Sequence, residues 1–378
     1  MKLLVCGEGT SEIGRPEQAG VVETLVRRCL ETDAQRLAFE VVKVSQLPKD
    51  RAQAGEARRA RQAIDEARRR QCDGFIYVRD ADGHHAERRR QLEDALSSLE
   101  MAHVIGIAIE TLEAWLMSDP DAIQDVLRQA VTVPAKPESL WGRPGGPGHP
   151  KFEWNQLCRE ARYDSGLSTM AAVAERLSID RARAACPEGF ARFHDQLLRA
   201  FPAFDVVVAA DQALGIGQGG ELPWPKLKGD LAHVRAVLDE APAGKRSAII
   251  MGRRTWETKE VGQKPSPRRL SVVVSRKSLE VPEGVITARS LTEALYRASV
   301  HEDIDRVLVV GGAQLFRDAL AHPRLRFAYL TRIAQTFECD AHLPGLEHLV
   351  PDAAWTSEAA GHHEDMGFEY TIERLKRP

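Results

Sequence analysis

Acidic side chains set just beyond strand-like segments are the first candidates for chemistry in this chain. Glu8 follows the apolar run LLVC in CGEGTSE, and Asp80 and Asp82 follow FIYV in YVRDADG. Carboxylates at the carboxyl ends of neighbouring parallel strands would converge on one cleft, and oxygen ligands of that kind suit magnesium. The same residues suit a plainer use. DADG is a good turn sequence, Glu8 can serve as a turn or cap residue, and Glu113 in AIETLEAWLMSD can be the polar face of an amphipathic helix. A second pattern, Gly215, Gly217 and Gly220, satisfies G-x-G-x-x-G after the strand-like DVVVAA. It fails as a dinucleotide fingerprint: the last glycine of that motif must open a helix, whereas ELPWP follows here, with Pro223 and Pro225 opposing a helix start. RPGGPGHPK is likewise no Walker A loop, because Lys151 follows proline and no Ser or Thr comes after it to hold magnesium.

The elements that must carry these residues alternate. A strand over LLVC, a helix from Ala19 to Leu30, a strand from Phe39 to Val44, a charged helix from Arg51 to Arg70 and a strand from Gly74 to Arg79 come first. A helix from Glu87 to Leu99 and a strand from His103 to Ile109 follow. Strands alternating with helices predict a mostly parallel α/β sheet. Proline and glycine between Val133 and Lys151 mark a loop, and helical segments run on to Ala200. At Phe201-Pro202 the pattern resets to a new strand, which places a boundary near 202 and predicts two domains, 1–202 and 203–378. A length of 378 residues also favours two.

Composition narrows the function classes. With 43% hydrophobic and 28% charged residues the chain reads as globular, and a net charge of −3 argues against a broad sequence-independent grip on nucleic acid. The six cysteines are scattered without a C-x-x-C pair, which implies neither zinc nor a disulfide framework and fits a cytoplasmic setting. Met1 to Cys6 lack the makeup of a signal peptide, and no apolar run reaches membrane-spanning length. The triplets Arg68 to Arg70 and Arg88 to Arg90 are interleaved with acids, as on a solvated helix face. If this half met nucleic acid they would be its first phosphate contacts. His84 and His85 sit beside charged residues and fit the same solvated face.

From about Phe204 to Pro378 the chain resembles dihydrofolate reductases. DQALGIGQGGELPW resembles the loop that closes over the nicotinamide in that family, and KLKGDLAHVR resembles its first helix. IIMGRRTWE, RRLSVVVSRK, VLVVGGAQLF and FECDAHLP then match later segments in the same order. The resemblance implies a mixed sheet flanked by helices that takes NADPH and a dihydropterin. It makes Asp230 the carboxylate that anchors the aminopyrimidine edge and promotes substrate protonation, beside Leu231 and Val234. By residue type alone, Asp230 would read as a helix cap. Arg269 matches the arginine that pairs with the glutamate tail, with Arg268 its near competitor. On the cofactor side the resemblance implies Arg253, Thr255, Ser275 and Arg276 around the adenosine phosphates. It places Gly311 and Gly312 at the pyrophosphate, and Ala210, Gly217, Leu222, Trp224, Val310 and Phe316 along the remainder of the cofactor. Three positions depart from the pattern. Val234 stands in place of a stacking aromatic, Phe316 in place of a tyrosine, and Ala341 in place of the threonine expected to hydrogen-bond the carboxylate.

The N-terminal half, with Glu8, the Asp80/Asp82 pair and AIETLEAWLMSD containing Glu110, Glu113 and Asp119, resembles TOPRIM-like domains. That group is related to the nuclease halves of overcoming-lysogenization-defect proteins, and CPEGF adds to the likeness. The resemblance implies a mostly parallel sheet and Mg2+ held by Glu8, Asp80, Asp82 and Glu113. The expected function is thus NADPH-dependent reduction of dihydrofolate or a related pterin by the C-terminal half. The alternative is a magnesium-dependent nuclease or phosphotransfer effector, with nucleic acid as partner, in which the reductase-like half senses a nucleotide or folate.

Overall fold

In a computed structural model, residues 1–9, 13–14, 17–31, 36–47, 55–81, 83–258, 265–343 and 355–376 are described. The chain divides into two compact units, Met1–Ala200 and Phe201–Pro378.

The first unit is built on four parallel strands, β1 (Lys2–Gly7), β2 (Ala38–Lys43), β3 (Gly74–Asp80) and β4 (Ala102–Ala108), in the order β2-β1-β3-β4. β1 and β3 are buried along almost their whole length, as expected of strands covered on both faces, and they read as near-continuous apolar runs. Between the strands lie α1 (Val21–Cys29), α2 (Glu56–Arg69) and α3 (His85–Leu96). α2 is mostly charged, yet its small apolar residues Ala60, Ala63, Ile64 and Ala67 fall at helical spacing and are buried. They join Leu92 and Leu96 of α3 against Leu4, Cys6, Phe75 and Tyr77 of the sheet.

After β4 the chain is helical: α4 (Glu113–Leu116), α5 (Pro120–Leu127), α6 (Pro150–Glu160), α7 (Leu167–Arg176), α8 (Ile179–Ala185) and α9 (Arg192–Ala200). A buried aromatic group ties this part together. Trp115 of α4 stacks on Phe193 of α9 at 5.2 Å and meets Phe190 edge-on at 5.6 Å.

The second unit holds an eight-stranded mixed sheet. Its strands are β5 (Phe204–Ala210), β7 (Arg246–Gly252), β8 (Arg269–Val274), β9 (Val285–Ala288), β10 (Ile304–Val309), β11 (Leu325–Ile333), β13 (Thr356–Asp365) and β14 (Phe368–Lys376). In the order β13-β14-β11-β5-β10-β7-β8-β9, the segment from β11 to β9 is parallel, and β14 runs antiparallel to both β11 and β13. Side chains alternate across the sheet. Val206, Val208 and Ala210 of β5 join the core beneath α12 (Leu291–Ser299) and α13 (Ala313–Ala321), while Val207 faces Val237 and Leu238 of α10 (Lys228–Leu238).

Gly215–Gly217 form a short strand, β6, paired with β12 (Ala341–His342) in a separate two-stranded sheet. The next helix does not begin until Lys228, so the G-x-G-x-x-G run here lies in a strand and turn, not at a helix start. Among the described residues, no helix is long and apolar enough to cross a membrane.

Candidate active site

α10 carries Asp230 in its first turn, where the side chain is 4% exposed. One carboxylate oxygen, Oδ1, is buried without a partner among the described residues. Burial pushes the Asp230 carboxyl above the usual aspartate range; the nearby Thr331 hydroxyl and His233 imidazole pull the other way. His233, one turn further along α10, is held low by burial, against the pull of Asp230, and its Nε2 is also buried without a partner among the described residues. Trp224 precedes the helix. Its indole packs with Leu227, Ile333 and Tyr370, and its Nε1 is a third buried polar atom with no partner among the described residues. Buried polar groups in folded proteins are nearly always paired. A free acceptor on Asp230 and a free donor on Trp224 therefore suit the polar edge of a ligand.

The residue that supports the carboxylate corrects an expectation. Ala341 was expected to leave Asp230 without a hydroxyl partner, but Ala341 lies in β12 opposite Gly217. The hydroxyl comes from Thr331 of β11, which is buried at 3% exposure. Thr331 is one strand residue among many in FAYLTRIA, and nothing in its local sequence marks it.

The far end of the same helix holds the second substrate candidate. Asp239, the C-cap of α10, accepts from Arg269 Nε at 2.8 Å, and this bond holds its carboxyl below the usual aspartate range. Arg268, the competitor, donates its backbone N–H to Ser266 Oγ and adds a weaker electrostatic pull on Asp239. Asp230 and Arg269 thus bracket α10 along roughly 14 Å of helix rise. Between them Leu231 is half-buried, and Val234 packs beside Tyr329 and Val207.

The glycine pair Gly311-Gly312 follows β10 in a cis peptide and leads straight into α13, with Gly312 as its N-cap. Gly311 has φ 133°, a conformation that only glycine adopts comfortably. Its carbonyl accepts from Gly252 N–H at 2.7 Å, which joins the turn to the end of β7. A Cβ at Gly311 or Gly312 would lie 3.3 or 3.4 Å from Thr255 Oγ1, so the turn and the hydroxyl share one small space. Thr255 belongs to α11 (Arg253–Trp256), and Arg253 beside it pairs with Glu257 at 3.2 Å. Ser275 follows β8 and bonds the backbone of Lys277, and Arg276 is exposed. Val310 donates its N–H to Ile250, and Ala210 is buried at the end of β5. Phe316 is buried in the core and its ring lies 3.6 Å from a Cβ at Gly311. A helix N-terminus beside arginine and hydroxyl side chains is a binding place for phosphate groups.

The loop between β5 and α10 is pinned at its base. Asp211, fully buried, accepts from Ala213 N–H at 2.9 Å and Gly215 N–H at 2.7 Å through Oδ1, and from Phe337 N–H at 2.8 Å through Oδ2. Asp340 accepts from Gly219 N–H at 2.9 Å, while Gly217 is half-buried and Leu222 exposed. Sequence reading passed over Asp211, although an Asp before AL-G in a loop is a recognisable turn-forming side chain.

The acidic residues of the N-terminal unit are arranged differently. Glu8 forms an ion pair with the buried Arg79, which also binds Glu56 at 2.9 Å. Asp80 Oδ1 accepts from Leu112 N–H at 2.9 Å. Glu113 is buried in α4, Asp119 caps α5 and accepts from Ser178 N–H at 2.7 Å, and Asp82 lies outside the described residues. Among the described residues no three His, Cys, Asp or Glu side chains come together to hold a metal ion. Four arginines of the basic triplets are also engaged. Arg69 and Arg70 pair with Glu66, Arg88 binds the Asp80 carbonyl, and Arg89 is buried against the Glu188 carbonyl at 2.9 Å.

Residues 203–377 match the sequence family described as dihydrofolate reductase, and residues 17–198 match a domain of unknown function (DUF4276). A putative dihydrofolate reductase of Human herpesvirus 8 type P (isolate GK18) is 40% identical over 38% of this chain and 70% of its own length. The dihydrofolate reductase of Rattus norvegicus is 32% identical over 44% of this chain and 93% of its own. The bifunctional dihydrofolate reductase-thymidylate synthase of Glycine max is 37% identical over 39% of this chain but only 29% of its own length.

Proposed function

Because the chain belongs, through residues 203–377, to the dihydrofolate reductase family and is an oxidoreductase of that type, we propose that its C-terminal unit reduces dihydrofolate, or a close pterin relative, with NADPH. The observation that carries this reading is Asp230: a buried carboxylate, acidity weakened by burial, with one oxygen left unpartnered at the mouth of α10.

A carboxylate so placed accepts hydrogen bonds from the amino group and ring N–H of an aminopyrimidine. Thr331 steadies its other side. Because burial disfavours the charged form, Asp230 also favours a proton at the substrate edge it contacts, which makes the adjacent ring carbon more electrophilic. Arg269 at the other end of α10 is set to exchange Asp239 for a carboxylate of the substrate tail, an arginine–carboxylate pair of the same kind. The spacing along α10 suits a substrate with a ring at one end and an acid at the other.

NADPH, when bound, supplies the hydride. Gly311 and Gly312 let backbone come close to its pyrophosphate, Thr255 and Ser275 offer hydroxyls, and Arg253 and Arg276 offer positive charge to its extra phosphate. Ala210, Gly217, Leu222, Trp224, Val310 and Phe316 line the rest in this reading. Oxidation of NADPH by dihydrofolate, followed at 340 nm with the full chain, tests it. Steady turnover lost in Asp230→Asn supports the assignment, and turnover unaffected by that change removes it.

A further inference from the structure

α10 lacks the means to close its own N-terminus. Its N-cap is Leu227, whose side chain accepts no hydrogen bond, so the first backbone N–H groups of the helix need acceptors from elsewhere. They find them on the hairpin β13–β14. Lys228 N–H donates to Asp365 Oδ2, and the N–H groups of Gly229 and Asp230 face the Tyr370 hydroxyl oxygen. Leu231 N–H is the first to bond within the chain turn, to Leu227 at 3.0 Å. Tyr370 itself is 3% exposed, sits opposite Ile333 of β11 and stacks on His363 at 5.3 Å, so its hydroxyl is held from several sides.

The fit is close enough to dictate sequence on the helix. A Cβ at Gly229 would stand 2.2 Å from the Tyr370 hydroxyl, while the next ring atom, Cζ, lies at 3.4 Å. Gly229 therefore leaves the room that the phenol oxygen occupies, directly before the residue that meets the substrate.

We infer that Tyr370, with Asp365, is a positioning residue for Asp230: the hairpin supplies from a distance the cap that α10 lacks and so fixes where the carboxylate stands. The inference rests on the assignment of Asp230 to the substrate. A helix turn that is not capped frays, and fraying at this turn moves the one side chain that must meet a ring edge within a few tenths of an ångström.

Three full-length variants test it: Tyr370→Phe, Gly229→Ala and the two together. Tyr370→Phe should lower kcat/KM for dihydrofolate about tenfold while leaving NADPH affinity within about twofold, because it removes only an acceptor shared by two N–H groups of α10 and keeps the ring that packs with Trp224. Gly229→Ala should be more damaging, and the double variant should recover activity relative to Gly229→Ala, since the nearest atom to the new methyl then becomes Cζ at an ordinary contact distance. Equal losses in dihydrofolate and NADPH handling, or losses in the double variant that merely multiply, would overturn the inference. Amide hydrogen exchange separates this from the assignment itself. Even if the wild-type chain does not turn over dihydrofolate, Tyr370→Phe should speed exchange at Gly229 and Asp230 by about tenfold. Unchanged exchange there sinks the capping role.

Discussion

Both units offer acidic side chains as candidates for chemistry, Asp230 in one and Glu8 with Asp80 in the other, and their surroundings separate them. In the C-terminal unit Asp230 is buried with Oδ1 unmatched. In the N-terminal unit Glu8 meets Arg79, and Asp80 meets the Leu112 N–H. Desolvating a carboxylate without compensation is unfavourable by several kcal/mol, so a fold keeps such a group only where something else selects for it. Satisfied carboxylates need no external ligand to explain them. The contrast shows that an acid's place after a strand says little until its lone pairs have been accounted for.

The comparison breaks most easily at Asp230. Asp230→Asn keeps shape and volume but removes the charge, and NADPH oxidation with dihydrofolate should fall by about 10²–10³-fold. NADPH affinity measured by fluorescence should stay within about twofold. A residual rate close to wild type would place Asp230 among the satisfied acids. On the opposite side, Arg79→Ala leaves the half-buried Glu8 and Glu56 facing each other without their shared cation and should destabilise the N-terminal unit by about 2 kcal/mol. Urea unfolding followed by a probe in that unit checks this, with reductase turnover per folded molecule unchanged. A neutral outcome would mean that Glu8 is not structurally committed and would return it to the ligand-binding candidates.

Much of this was legible in the sequence where local signals and function coincide. The strand and helix alternation of residues 1–110 appears as a parallel sheet, because buried strands must be apolar and α2 still shows its narrow stripe of Ala60, Ala63, Ile64 and Ala67. Pro223 and Pro225 ruled out a helix after Gly220, and none forms. What stayed hidden depends on contacts far apart in the chain. Thr331 reaches Asp230 from β11, Tyr370 caps α10 from β14, and Asp211 ties Ala213 and Gly215 to Phe337. A strand threonine or tyrosine carries no mark of what it faces across a sheet. Ala341 pairs with Gly217 in β12, and the fold supplies the hydroxyl for Asp230 from Thr331 in another strand.

A smaller effect sharpens the cofactor side. Arg253→Ala and Arg276→Ala should each raise KM for NADPH about tenfold and leave KM for NADH nearly unchanged, because the lost contact is with the extra phosphate alone. Parallel steady-state assays with the two cofactors decide it. Equal effects on both would assign these arginines to the pyrophosphate or to the surface, where Arg253 already has Glu257 as a partner.

The smallest effect concerns stability, and its sign follows from burial. The folded carboxyl of Asp230 is shifted upward from its ordinary value of 3.8, first by desolvation, so the fold prefers its neutral form. The stability this preference contributes is fully present below that ordinary value and is lost as pH rises through the shifted one. At neutral pH the charged carboxylate therefore works against the fold, by about 1 kcal/mol for each pH unit of displacement. Asp230→Asn, neutral at every pH, should raise the unfolding midpoint of the C-terminal unit at pH 7 and lose that advantage near pH 3.5. Urea titrations at the two pH values test this directly. Stabilisation at pH 7 together with lost turnover would show that the unmatched oxygen is kept for its substrate at the expense of the fold; destabilisation at both would mean that Asp230 is held by the protein as firmly as Asp80 is.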